Sequence, residues 1–207
     1  MDEILQKSED WHQLRCGKWT GSKFHDVLAK KKDGKPTQKR EDLIWDIATE
    51  RIQGYQPSGM TSYSLKWGND NEPLARQSYE IKTGEFVEEI AFIKHPKYDF
   101  VGVSPDGLIG SEGMIEIKSP SSPKVHLQRW IDGVPDEYVA QLQGGLWVTG
   151  RKWIDFISYD GDTDDRFKLL VIRVYRDEAF INNLEDEILK AELEVQALIV
   201  ELMKKVA

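Results

Sequence analysis

The clearest pattern in the chain lies near its C-terminal end. Ile181, Leu184, Ile188, Ala191, Val195, Leu198 and Leu202 recur at intervals of three and four, which places them on one face of an α-helix. An amphipathic helix is therefore predicted over 177–205. Such a stripe suits the chain's own core, and it also suits a second subunit, because a seven-residue rhythm is that of a coiled-coil seam. Packing on its own core is the simpler of the two.

The period changes upstream. Residues 8–32 read as a capped helix, a turn and a second helix. Trp11 and Leu14 share a face, and Thr20-Gly21-Ser22 can cap a helix beginning near Lys23, with Phe24, Val27 and Leu28 on its apolar side. A loop at 33–37 leads to a helix at 40–53 that buries Leu43, Ile47 and Ile52; 54–64 is a loop again. Residues 66–82 form a further helical pattern. Pro73 falls inside it, which moves the expected first turn close to Glu72. Strand-like runs follow at 85–93, 98–103, 114–118, 153–159 and 168–175. A helix at 135–149, opened by Pro135 and stopped by Gly150, separates the third strand from the fourth. This order predicts an α/β fold: one domain over 1–207, a mixed β-sheet flanked by helices, and the long helix at the end.

Composition adds constraints. The 207 residues suffice for a full hydrophobic core, and the apolar and charged shares are those of a globular chain. The first ten residues are acidic and lack the basic-then-apolar order of a signal peptide, and no apolar run has the length of a membrane span. The single cysteine, Cys16, excludes an internal disulfide, a thiolate zinc site and an iron–sulfur cluster, and fits a reducing cytosol. A net charge of −8 weighs mildly against nucleic acid as a partner. The stretch 30–40, KKKDGKPTQKR, runs the other way: it is either a solvated loop or a contact for a DNA backbone.

The chemistry concentrates in 98–120, YDFVGVSPDGLIGSEGMIEIKSP. Pro105 and Gly107 flank Asp106, so its carboxylate sits at a strand end. Side chains alternate along the next strand, so Glu116 and Lys118 share one face while Ile115 and Ile117 share the other. Two carboxylates and an amine on one side of a hairpin can hold Mg²⁺, which keeps several waters for substrate and nucleophile. A cation beside Lys118 would lower the lysine's pKa. Alone this pattern is common and weak. Glu72 lies on an upstream helix with Arg76 at i+4, either a surface ion pair or a third carboxylate near metal. Gln141 and Gln143 lie on an apolar helix and need polar partners if buried.

Together, Asp106, the Glu116-Ile117-Lys118 run, Glu72 and the Gln141-x-Gln143 helix resemble the PD-(D/E)XK nuclease superfamily. Within it the chain is similar to the phage λ exonuclease family, the YqaJ-type viral recombinase exonucleases, from WHQLRCGKWTGSKFH at 11–25 to the final strands. The resemblance implies a restriction-endonuclease-like fold. It implies that Asp106, Glu116 and the main-chain carbonyl of Ile117 bind metal, as two Mg²⁺ ions for which Mn²⁺ can substitute. Lys118 would position or activate water, and Glu72 would support the metal site. Arg15, Ser22, Ser104 and Gln141 match a pocket for a DNA 5′-phosphate. A surface ion pair is the plain alternative for Arg15, as is a helix cap for Ser22. Leu65 matches a residue that wedges between the strands at the duplex end, with core packing as its alternative.

The implied activity is digestion of one strand of linear double-stranded DNA, 5′ to 3′, to 5′-mononucleotides. The implied partners are two further copies in a trimeric ring and a single-strand annealing protein, in the cytoplasm of a bacterial host of phage or prophage. A related endonuclease or junction nuclease, or a non-catalytic DNA-binding recombination module, are the alternatives. The loops at 30–40 and 57–64 depart from the λ protein.

Overall fold

The computed structural model describes residues 4–56 and 62–206. In chain order the elements are α1 (Glu9–Arg15), β1 (Trp19–Thr20), a 3₁₀ turn (Gly21–Lys23), α2 (Phe24–Leu28), α3 (Gln38–Gln53), α4 (Tyr63–Thr83), β2 (Ile93–Lys94), β3 (Val101–Val103), β4 (Gly107–Ile109), β5 (Gly113–Lys118), α5 (Pro123–Asp132), α6 (Asp136–Thr149), β6 (Trp153–Tyr159), β7 (Leu169–Tyr175) and α7 (Glu178–Val206). The strands form two mixed sheets, β1-β3-β2 and β4-β5-β6-β7. Strands β5 and β6 run parallel, a pairing that requires a crossover, and α5 and α6 supply it.

The long C-terminal helix packs on its own chain. Ile181, Leu184, Ile188, Ala191 and Val195 are buried with Trp19, Phe24, Ile47 and Val101 in one core cluster. Ion pairs reinforce this contact. Glu192 accepts two hydrogen bonds from the Arg51 guanidinium, at 2.7 and 2.8 Å, and one from Trp19 Nε1 at 2.9 Å. Arg40 grips Glu194 with both terminal nitrogens. Helix α6 lies close against α2 because residue 144 is glycine: a Cβ there would sit 2.2 Å from the Phe24 ring. The second sheet closes over α4, where Ala75 and Tyr79 meet Ile115, Ile117 and Ile157.

Several sequence expectations change. Helix α4 begins at Tyr63, capped by Ser62 Oγ, not close to Glu72; the helix runs through Pro73, and beyond it Ala75 and Tyr79 are buried against the second sheet. Of the run 85–93 only Ile93 is in a strand, with an isolated bridge from Glu88 to Leu108. The Val87 N–H donates to the Glu80 carboxylate instead of a strand neighbour. The run 98–103 is strand only from Val101, because the His95 ring accepts the N–H groups of Lys97 and Tyr98 and holds a turn there. Ile52 faces outward. The short strands β1 and β4 and helix α5 were not anticipated. Part of the expected loop at 54–64, residues 57–61, lies outside the described residues. Among the described residues no helix is long and apolar enough to cross a membrane.

In the basic stretch 30–40, Lys30 pairs with Glu187, Lys35 with Asp33, Lys39 with Asp26 and Arg40 with Glu194. Most of that charge is therefore answered within the chain.

Candidate active site

Strand β5 runs beside α4 on one face and α6 on the other. Ile115 and Ile117 point into the core against α4, which turns Glu116 and Lys118 to the opposite face, as strand alternation requires. The turn after β3 delivers Asp106 to the same place: its Oδ2 accepts the Ile117 N–H at 2.6 Å. Lys118 Nζ donates to Glu116 Oε1 at 2.7 Å, and the Gln141 amide reaches the same oxygen at 2.5 Å.

These groups sit in a cleft of about 540 Å³. Arg15, Ser22, Leu65, Glu72, Ser104, Asp106, Glu116, Ile117, Lys118 and Gln141 all line it, so the structure brings every sequence-selected residue to one place. Gln143 is the exception among the polar residues noted with them. It faces the other way, donating to the Tyr175 carbonyl and accepting from the Asp177 N–H, and so ties β7 to α7.

The electrostatics of the centre are those of crowded carboxylates. Burial, and then the charge on Glu116, push the Asp106 carboxyl well above the usual carboxylate range. Burial disfavours the Lys118 ammonium, but Glu116 and Asp106 outweigh it and hold the lysine above its ordinary value. The downward shift expected for Lys118 belongs to a site with a cation in it; without one, the carboxylates decide the direction. Asp106 Oδ1 and Glu116 Oε2 have no hydrogen-bond partner among the described residues. Two hard oxygens without protein partners in a cleft fit a divalent cation such as Mg²⁺. Among the described residues no three His, Cys, Asp or Glu side chains are gathered to hold an ion by themselves, so water or substrate would complete its coordination.

At one end of the cleft Arg15 lies on α1 over the Trp11 ring, 4.2 Å from its centroid. Its side-chain partners among the described residues are hydroxyls, Ser104 Oγ at 3.0 Å and Thr20 Oγ1 at 3.4 Å, not a carboxylate. This removes the surface ion pair as its explanation. Burial lowers its pKa to about 10, with Glu50 and Glu116 opposing, so it remains charged at neutral pH. Ser104 Oγ also accepts from Trp11 Nε1 at 2.8 Å. With two donors already on that oxygen, the Ser104 O–H is left to point into the cleft. Leu65 is 54% exposed, so it is not a core residue.

Glu72 is held by Arg76, whose Nη2 lies 3.0 Å from Oε1, and Arg76 Nε reaches the Asp106 carbonyl at 3.3 Å. Arg129 and Tyr138 are among the cleft residues that escaped the sequence reading. Arg129, on α5, is buried and donates to the Lys118 carbonyl at 3.2 Å and to Ser158 Oγ at 3.0 Å. Tyr138, on α6, stands with its ring 5.0 Å from Lys118 Nζ. Pro123 at the start of α5 and Gly133 after its end were the signals that could have revealed the helix and its inward arginine.

The profile of the YqaJ-like viral recombinase domain matches residues 10–152, a span that holds every residue described in the cleft except those of the N-terminal segment. The chain belongs to the YqaJ-like viral recombinase family. The YqaJ protein of Bacillus subtilis (strain 168) is 30% identical over 157 residues, covering 73% of this chain and 45% of that protein. The chain thus spans less than half the length of the curated relatives it matches. Among solved structures, the alkaline exonuclease LHK-Exo of Laribacter hongkongensis is 36% identical, with a TM-score of 0.88 over 96% of this chain and 98% of that one. Its complex with dAMP gives 0.89 over the same shares. This member of the YqaJ-like viral recombinase family therefore has the mixed α/β fold of an alkaline exonuclease, and its place in the family supports a nuclease role.

Proposed function

We propose that the protein is a Mg²⁺-dependent exonuclease that digests one strand of linear double-stranded DNA from its 5′ end. The carrying observation is the layout of one cleft. A half-buried guanidinium with no carboxylate partner among the described residues lies beside Ser104, and Ser22, Gln141, Asp106, Glu116 and Lys118 line the same cleft. A terminal phosphate suits the first group: Arg15 offers a planar fork of donors and a full charge, and the Ser104 hydroxyl adds a hydrogen bond. Gripping that phosphate sets which internucleotide bond lies over the carboxylates, so each cut would release one 5′-mononucleotide. That the related LHK-Exo has been crystallised with dAMP agrees with a cleft of this kind.

Asp106, Glu116 and the Ile117 carbonyl would hold the ions, two Mg²⁺ in the full site. Bound metal would polarise the phosphodiester and lower the pKa of a coordinated water. Lys118, kept protonated by its neighbours, would orient the attacking water and balance charge gathering on the phosphate. Arg76 keeps Glu72 turned toward this centre, and Leu65 at the rim would part the strands. Strand removal from the 5′ end leaves a 3′ single strand, the substrate of an annealing protein. A trimeric ring in a bacterial cytoplasm completes this reading.

The test uses one duplex in two forms, linear with 5′-phosphates and covalently closed. With Mg²⁺ the linear form should be degraded to mononucleotides and the circle spared, and EDTA should stop the reaction. Equal cutting of both forms, or of neither, refutes it.

A further inference from the structure

The segment before α1 is built onto the cleft. Gln6 donates its two amide hydrogens to carbonyls on different loops, Ile90 at 2.8 Å and Pro105 at 2.9 Å, the second being the residue before Asp106. Ser8 caps α1 by accepting the Trp11 N–H, and its own hydroxyl donates to the Leu5 carbonyl. Lys7 is fixed between these anchors. It is the one non-glycine residue with positive φ, 70°, among the described residues, a conformation that costs an L-residue about 1–2 kcal/mol. Such strain persists where the surroundings over-determine it. Here it throws the Lys7 side chain over the cleft, where Nζ lies 2.8 Å from Glu72 Oε2.

Glu72 acts electrostatically on Asp106, adding to the forces that raise its pKa. Arg76 takes Glu72 Oε1 and Lys7 takes Oε2, so both oxygens of this carboxylate are already matched to cations. Arg76 is tied as well to the Asp106 carbonyl and to Glu89. Lys7 has one carboxylate partner and a half-exposed side chain; it is the cation free to leave. We propose that Lys7 is a built-in competitor of the metal ion: its ammonium neutralises Glu72 in the metal-free cleft and must be displaced when a divalent cation is bound there, which lowers the affinity for that cation. This rests on the metal reading of Asp106 and Glu116.

The test is calorimetric titration of Mn²⁺ into the full chain without DNA, for wild type, Lys7→Ala, Lys7→Arg and Lys7→Gly, with Asp106→Asn as control. Loss of one positive charge from the same half-solvated cleft as the ion should tighten binding about three- to tenfold. Lys7→Ala and Lys7→Gly should both show it, although only glycine relieves the positive φ; Lys7→Arg should stay within about twofold of wild type. Unchanged or weaker binding in Lys7→Ala, with heat that still disappears in Asp106→Asn, overturns the role of Lys7 alone. Absence of Mn²⁺ binding in wild type, or binding indifferent to Asp106→Asn, removes the metal reading and this inference with it.

Discussion

Replacing Arg15 by alanine should separate grip on a 5′-phosphate from every other property of the enzyme. Among the described residues Arg15 faces the cleft with hydroxyl side-chain partners only. A hydrogen bond to a charged group contributes about 1.5–3 kcal/mol, and 1.4 kcal/mol is a factor of ten. Loss of one such bond should therefore lower kcat/KM on 5′-phosphorylated linear duplex by about 10- to 100-fold. On the same duplex with 5′-hydroxyl ends the loss should be within about threefold, because the group that Arg15 is proposed to hold is missing. Stability should move the other way. Burial depresses the Arg15 pKa to about 10, so the fold disfavours the charged side chain. At 1.36 kcal/mol per pKa unit that cost is at most about 3 kcal/mol, and less after solvent screening. For a base with a depressed folded-state pKa the cost is fully present below that pKa, hence across the neutral range. Arg15→Ala should consequently melt at or slightly above the wild-type temperature at pH 7. The assay is kcat/KM on both end types, with a thermal melt alongside. Equal loss on phosphate and hydroxyl ends, or a fall in Tm of several degrees, would refute the phosphate-grip reasoning.

Three further outcomes are expected. Lys118→Ala should abolish cleavage while a gel-shift assay with EDTA shows nearly unchanged DNA binding; full activity in this variant would exclude Lys118 from the chemistry. Gly144→Ala should lower stability by about 1–3 kcal/mol in a urea titration, since its Cβ would meet the Phe24 ring at 2.2 Å. Burial raises the Glu192 pKa, but the bonds from Arg51 and Trp19 outweigh it and the net shift is downward. The clamp between α3 and α7 is therefore complete above the ordinary value of 4.5 and is lost as pH falls through the lower folded-state value. Glu192→Gln should be less stable at pH 7 and lose less between pH 5 and 3 than wild type, as read by circular dichroism.

Period and punctuation in the chain determined much about this protein before any fold was known. The stripe from Ile181 to Val195 identified α7, because a 3.6-residue period has a single structural meaning over about four turns. The alternation in Met114–Lys118 put Glu116 and Lys118 on one face by geometry alone. Turn chemistry around Pro105-Asp106-Gly107 placed a carboxylate at a strand end. Short elements were less legible: β1, β2 and β4 have two or three residues each, too few for a period to register, and the apolar run at 85–93 was diverted by the Glu80 carboxylate.

Only the tertiary structure decided which polar residues met. Residues as distant in sequence as Arg15, Glu72, Ser104 and Gln141 share one cleft because α1, α4, the β3 turn and α6 converge on β5, a fact that no local pattern encodes. Helix geometry alone turns Gln141 and Gln143, two residues apart, to opposite sides; the packing decided that Gln141 meets the carboxylates and Gln143 the root of α7. It also recruited Lys7, whose strained backbone and reach to Glu72 follow from anchors on Gln6 and Ser8. Local sequence sets which side chains share a face; long-range packing sets which faces share a site.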